Sequence, residues 1–263
     1  MVELITTYTL FQVPYIHDDA LEEFAEEILL DFSPEILTSP QPFDYMGFAQ
    51  RYLGLKVEYR RLAYDRKMLG VTAFNAGYIQ VINARTGLRE AMEVGAGTVV
   101  IDPLLRQKRN WPRFRFTLTH EGCHWIAHRK AFSPDNPAGS VGIYENRYIA
   151  AKEGRADYSR SRKDKTSIDR IERQADFLTS AIVMPKITLR MAYCDFFKEN
   201  GVKPWSRIIR GRSEGDDIYA KMLPVYIGKR FEVSKHAALI RLEKLNAIVD
   251  KPFKELHKQA GGT

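Results

Sequence analysis

The chain has 263 residues, of which 44% are hydrophobic and 28% charged; this excludes a fibrous or intrinsically disordered protein and allows one large or two modest domains with a sizeable core. No apolar run approaches the ~20 residues needed to cross a bilayer, residues 1–14 lack the segments of a secretory signal, and Cys123 and Cys194 are too few for a disulfide framework, so a cytoplasmic protein with no membrane partner is expected. The net charge of +7 admits a nucleic-acid partner, but much of the excess falls in Lys152, Arg155, Arg160, Arg162, Lys163, Lys165 and Arg170, where a solvated face explains it about as well as a phosphate-binding stripe.

Residues 1–16 read as a short extended arm. Asp18 or Asp19 caps a helix through about Asp31, with Leu21, Phe24, Ala25, Ile28 and Leu29 recurring at helical spacing as a core-facing stripe. A proline-containing run at 33–42 interrupts it, and 43–52 resumes a helical pattern ending at Gly54. From Leu55 the period changes to two: residues 56–64, 68–75 and 78–83 are predicted strands, and the turn Asn75-Ala76-Gly77 argues for an antiparallel hairpin. Gly87, Gly95 and Gly97 make 85–97 a loop around a short helix, and Thr98 to Ile101 form another strand stopped by Asp102-Pro103. A helix then runs from about Arg113 to about Arg129. Residues 132–146, rich in Pro, Gly, Asn and Ser, read as a loop covering or bordering a site. The next helix begins at about Ser167 and stops at Met184-Pro185, because proline disfavours helix at the residue before it. Residues 189–198 are helical and 211–215 are an exposed loop. Ser234 caps a last helix through Asn246 with Ala238, Leu239, Leu242 and Leu245 inward, and the tail after it frays. The reading is α+β, with an arm at 1–16, a main domain at 17–188 and a helical region at 189–263.

The helix from Arg113 to Arg129 carries His120-Glu121-Gly122-Cys123-His124. Histidines four apart on a helix start about 5 to 6 Å from one another on one face, so their ring nitrogens can converge on one zinc at roughly 2.0 to 2.1 Å. Glu121, slightly around the helix, can reach a metal-bound water as general base. Catalytic zinc needs a third protein ligand. His128 is about 12 Å of helical rise from His120, too far to share one ion on a straight helix, and packing or hydrogen bonding is its expected use. Cys123 is rotated about 100° from His124 and reads as a small buried residue. In Glu172-Arg173-Gln174-Ala175-Asp176 two carboxylates share a face: either Glu172 ligates while Asp176 orients a ligand histidine, or both pair with Arg170 and Arg173 on a solvated surface.

Arg-Phe-Thr-Leu-Thr-His-Glu-Gly-Cys-His at 115–124 resembles the RFTLAHELGH signature of the ImmA/IrrE metallopeptidases, and Glu-Arg-Gln-Ala-Asp-Phe-Leu-Thr-Ser-Ala-Ile-Val-Met-Pro at 172–185 resembles their ExEANxFAxxLLMP signature. The likeness extends loosely to 53–57 and to Val233-Ser234 with Ala237, Arg241 and Leu242, and leaves out 1–15 and about 85–97. It implies a zincin-like fold: a small antiparallel sheet packed on helices carrying the His-Glu-x-x-His motif and the third-ligand glutamate, followed by a C-terminal region that could be helix-turn-helix-like. It implies zinc held by His120, His124 and Glu172, Glu121 as general base, and Asp176, where the family usually has Asn, as an outer hydrogen-bond partner. Gly122-Cys123 stands where the family has Leu-Gly, and a helix-interior glycine, costing about 1 kcal/mol, marks close packing.

The implied activity is endopeptidase cleavage of a protein substrate, a helix-turn-helix transcriptional repressor in a stress response or mobile element. Tyr144, Arg147 or Tyr148 could donate to the oxyanion, and an extended substrate could add to a sheet edge. The competing reading is a DNA-binding or toxin-antitoxin regulator with a structural or vestigial metal, its last helix offering Lys235, Arg241 and Lys244 to phosphates; packing of that helix is favoured over DNA binding.

Overall fold

The computed structural model describes residue 2 and residues 13–132, 148–152, 167–203 and 207–250. The chain is α+β and divides into two units, Met1–Pro34 with Phe43–Val183, and Glu35–Pro42 with Met184–Thr263. Among the described residues no helix is long and apolar enough to cross a membrane.

In the first unit, α1 (Asp18–Phe32) buries Leu21, Phe24, Ala25, Ile28 and Leu29, the stripe its spacing predicts. Its cap is His17, whose Nδ1 accepts from Asp19 N; Asp18 and Asp19 instead lie in the first turn, where acids complement the helix dipole. The helical stretch ending at Gly54 is a π-helical turn, Gly47–Tyr52, with Asp44 Oδ1 accepting from Gly47 N at 2.9 Å. Gly54 sits at φ +68, a left-handed conformation that glycine adopts without a Cβ clash. Phe32, Phe43, Phe48 and Tyr52 pack ring against ring around this turn.

Strands β1 (Lys56–Tyr59), β2 (Met68–Ala73), β3 (Gly77–Ile82), β4 (Arg89–Val94), β5 (Thr98–Ile101) and β6 (Tyr148–Lys152) form two sheets. One has the order β1-β5-β2-β6 and the other is the pair β3-β4. The larger sheet is mixed rather than antiparallel, because β1 and β5 run parallel while β2 is antiparallel to both β5 and β6.

Two strand expectations are overturned. Asn75-Ala76-Gly77 does not close a hairpin between β2 and β3; it carries the chain from one sheet to the other. Asn75 Nδ2 donates to Phe132 O at 2.8 Å, and Phe74 stacks on Phe132 with centroids 4.4 Å apart, so this corner is tied away from β3. The hairpin is β3-β4, and residues 89–94 are strand rather than loop and short helix. Its turn is organised by Asn83, whose Oδ1 accepts from Arg85 N and Thr86 N, with Gly87 at φ +70. Alternation along β2 then sorts its side chains. Val71 and Ala73 join Leu62, Ile79, Val81, Val94 and Val100 in one core cluster, while Gly70 and Thr72 face the helix α2 (Trp111–His128). Asp102 stops β5 as expected, its Oδ1 accepting from Leu104 N at 2.8 Å.

Helix α3 (Ser167–Val183) packs on both α1 and α2. The glycine at 122 admits close approach: a Cβ there would lie 3.0 Å from Leu53 Cδ1 and 3.1 Å from Phe48 Cε1.

In the second unit, α4 (Lys186–Glu199) is followed by β7 (Ile208–Arg210), α5 (Glu214–Arg230), α6 (Lys235–Lys244) and β8 (Ile248–Asp250), with β7 and β8 parallel. The loop expected at 211–215 is shorter: Gly211 turns at φ +76 and α5 starts at Glu214, capped by Ser213 Oγ accepting from Asp216 N. Ser234 caps α6 as predicted, accepting from Ala237 N at 3.0 Å. Ala238 and Leu242 are buried, but Leu239 and Leu245 are only partly so.

The competing DNA-binding reading offers Arg241 to phosphates, whereas the favoured reading packs this helix. Arg241 is fully buried, and its Nε donates to Met184 O at 3.1 Å, which takes the guanidinium away from any phosphate. Arg241→Ala should therefore lower unfolding free energy by about 1.5–3 kcal/mol, the range for a hydrogen bond from a charged group, whereas exposed Lys235→Ala should stay within about 0.5 kcal/mol. Equal small effects in urea titrations would contradict this burial.

Candidate metal centre

The site lies where α2 and α3 pack. Residues 120, 124 and 128 fall on one face of α2 at successive four-residue steps, and all three histidines are buried. The facing surface of α3 presents Glu172, Gln174 and Asp176. His120, His124 and Glu172 form a buried group whose ligand atoms all lie within 4.8 Å of one another, so it could hold a metal ion. His120 Nε2 and His124 Nε2 are 2.9 Å apart. Glu172 Oε2 is 3.6 Å from the first of these nitrogens and Oε1 3.9 Å from the second. Two imidazoles and a carboxylate are borderline-hard donors of the kind that divalent zinc accepts, so the donor chemistry fits the ion that the resemblance implies.

The other expected residues fall around this group. Asp176 Oδ1 is 3.0 Å from His120 Nδ1, the nitrogen opposite the donor. Glu121 is 0% exposed and faces β2, where Thr72 Oγ1 donates to its Oε2 at 2.6 Å and to its backbone carbonyl at 3.1 Å. Gly70 is bare beside it, since a Cβ there would stand 2.6 Å from Glu121 Oε1 and 2.9 Å from Thr117 Cγ2. Cys123 is buried, and that burial pushes its thiol up to about 12 despite a hydrogen bond with Thr179; it stays a neutral packed side chain. Tyr144 and Arg147 lie outside the described residues, as do the loop at 132–146 from residue 133 onward, most of the basic run between 147 and 173, residues 1 and 3–12 of the arm, and the tail from residue 251. Tyr148 begins β6.

The helix spacing that keeps His128 off an ion shared with His120 does not aim it away from the site. His128 Nδ1 lies 3.3 Å from His124 Nδ1, and its Nε2 lies 3.0 Å from Gln174 Oε1. Sequence reasoning gave neither Gln174 nor Thr72 a role. Helix position offers no signal for Gln174, which stands about 200° around α3 from Glu172; for Thr72 the one signal is the alternation of β2, which cannot say what arrives opposite it.

The charges are arranged asymmetrically. Burial opposes a proton on His120, but hydrogen bonds to Asp176 and Glu172 and their negative charge outweigh it and hold His120 well above its ordinary value. Burial, then the neighbouring His120 and His128, push His124 well below. Burial likewise brings His128 down to about 4, against a hydrogen bond to Gln174 that favours its proton.

No family model matches the chain, and no curated protein is significantly similar to it.

The contact between Gly70 and Glu121 yields a direct test. Gly70→Ala should destabilise the fold by about 1–3 kcal/mol through overpacking. Combining it with Glu121→Ala should return a large part of that loss, measured as the coupling energy in a double-mutant cycle. Simple additivity would place Glu121 away from β2.

Proposed function

We propose that this chain is a zinc-dependent endopeptidase of zincin-like fold, with His120, His124 and Glu172 as ligands, Glu121 as general base and Asp176 orienting His120. The observation that carries the reading is the convergence of these three donors between two packed helices with a carboxylate behind His120. Three protein ligands are the number that catalytic zinc sites use, the fourth position serving water or substrate. Bound there, zinc supplies Lewis-acid polarisation of a carbonyl and lowers the pKa of a water towards neutrality. Glu121 follows His120 directly in sequence, and Thr72 holds one of its two carboxylate oxygens. Its part is to take the proton of the attacking water at Oε1 and pass it to the departing amine. Asp176, accepting from His120 Nδ1, leaves Nε2 as the donor and raises its basicity. β6 lies at an edge of the larger sheet, where an extended peptide could pair through its backbone. The resemblance points to a helix-turn-helix repressor as substrate.

A second reading, a regulator whose ion serves stability alone, draws on the complete burial of His124 and Glu121, since structural sites are closed.

Purified protein should contain one zinc by elemental analysis and cleave repressors encoded beside it. Glu121→Gln should keep the zinc and lose activity by about 10²- to 10⁴-fold, the range for a general base. Undiminished cleavage sinks the catalytic assignment, and bound zinc with no cleavage of any neighbouring repressor selects the second reading. Glu172→Ala should lose the zinc; a variant that retains it stoichiometrically removes Glu172 from the ligand set.

A further inference from the structure

We infer that His128 and Gln174 are positioning residues for the metal centre: a directional hydrogen-bond chain from the Pro14 carbonyl through Gln174 and His128 locks His124 in the tautomer that presents a bare Nε2 to the ion. The inference rests on the metal-binding reading above and adds the residues that prepare one ligand.

The chain is fixed from its outer end inward. A backbone carbonyl only accepts, so the Gln174 atom 2.7 Å from Pro14 O is the amide nitrogen. That fixes Oε1 as the Gln174 atom facing His128 Nε2 at 3.0 Å. An amide oxygen cannot donate, so His128 Nε2 carries the hydrogen. A neutral imidazole with its proton on Nε2 has a lone pair on Nδ1. His128 Nδ1 faces His124 Nδ1 at 3.3 Å, and His124 Nδ1 is therefore the donor. The remaining nitrogen, His124 Nε2, is then unprotonated, and it is the one 2.9 Å from His120 Nε2 and 3.9 Å from Glu172 Oε1.

The reverse direction requires protons on both nitrogens of His128. That would be a full charge on a 0% exposed ring whose nitrogens face an amide oxygen and another imidazole, an expensive arrangement. The outer end is itself pinned. Arg170 Nη1 donates to Val13 O at 2.9 Å and Arg173 Nη2 to Ile16 O at 2.5 Å, so the strap carrying Pro14 is tied to α3 on both sides of the Gln174 contact. The two ligand histidines thus receive different supports: a carboxylate behind His120 and a neutral relay behind His124.

Two measurements separate this inference from the metal reading. Long-range ¹H–¹⁵N spectra of metal-free protein report the tautomers without any ion, and should show His124 protonated at Nδ1 and His128 at Nε2. Zinc affinity by chelator competition should fall about 10- to 100-fold in His128→Phe, the range for loss of an outer hydrogen-bond partner. His128→Asn, whose Oδ1 can stand in for Nδ1 as acceptor, should recover most of it. If His128→Phe does not fold, Gln174→Ala serves in its place, with a mixture of His124 tautomers expected. His124 protonated at Nε2 in the wild type, equal zinc affinity in His128→Phe and His128→Asn, or an unmixed Nδ1–H tautomer in Gln174→Ala each overturns the relay. Failure of the wild type to bind zinc overturns the metal reading, and the metal-free spectrum still decides the tautomer.

Discussion

The contact between α2 and α3 buries imidazoles and carboxylates together, and that burial is the constraint on which the rest of the first unit depends. An unpartnered buried polar group costs on the order of several kcal/mol, and a buried charge more. The helices can therefore pack closely only if each group meets a complement. His120 meets Asp176 and Glu172, His124 meets His120 and His128, and His128 meets Gln174. Every one of these pairs crosses between the helices or steps one turn along α2, so a small rotation of either helix would break several at once. Register is specified here by polar geometry as much as by apolar packing.

The surrounding elements are shaped to that contact. On the sheet side, β2 offers a glycine and a threonine where Glu121 arrives, one making room and the other donating a hydrogen bond. Next to it on the helix, Gly122 lets Phe48 and Leu53 come close, which ties the π-helical turn and its aromatic cluster to the same segment. The helix-propensity cost of glycine, about 1 kcal/mol, is accepted at a position where a Cβ would press on Leu53 and Phe48. Local helix preference yields to tertiary packing at this residue.

The parts legible in the sequence were those governed by local periodicity. The stripe of α1, the histidine-bearing helix, the helix stopped by Pro185 and the Ser234 cap all follow from spacing and capping chemistry. Pairing was less legible. Asn75-Ala76-Gly77 has the composition of a hairpin turn, and what decides against one is the long-range packing of Phe74 and Asn75 on Phe132, which no local pattern encodes. Residues 89–94 carry charges on an exposed hairpin and lack strong β-branched alternation, so the glycines around them dominate the local signal. Helix α5 has the interior proline Pro224, and its sequence gives no clean stripe to read. At the site, the motif spacing brings His120 and His124 onto one helix face. Gln174 and Thr72 depend on which residues of other elements arrive opposite, and that is a tertiary fact.

The electrostatics of the cluster bear on what an ion would change. The 2.9 Å approach of His120 Nε2 to His124 Nε2 is a hydrogen-bond distance. Asp176 and Glu172 lie beside His120, and their hydrogen bonds and negative charge hold it well above its ordinary value against the cost of burial. A divalent cation held by His120, His124 and Glu172 would meet the negative charge of these same carboxylates. Binding would add stability by mass action to helices that already meet through paired polar groups.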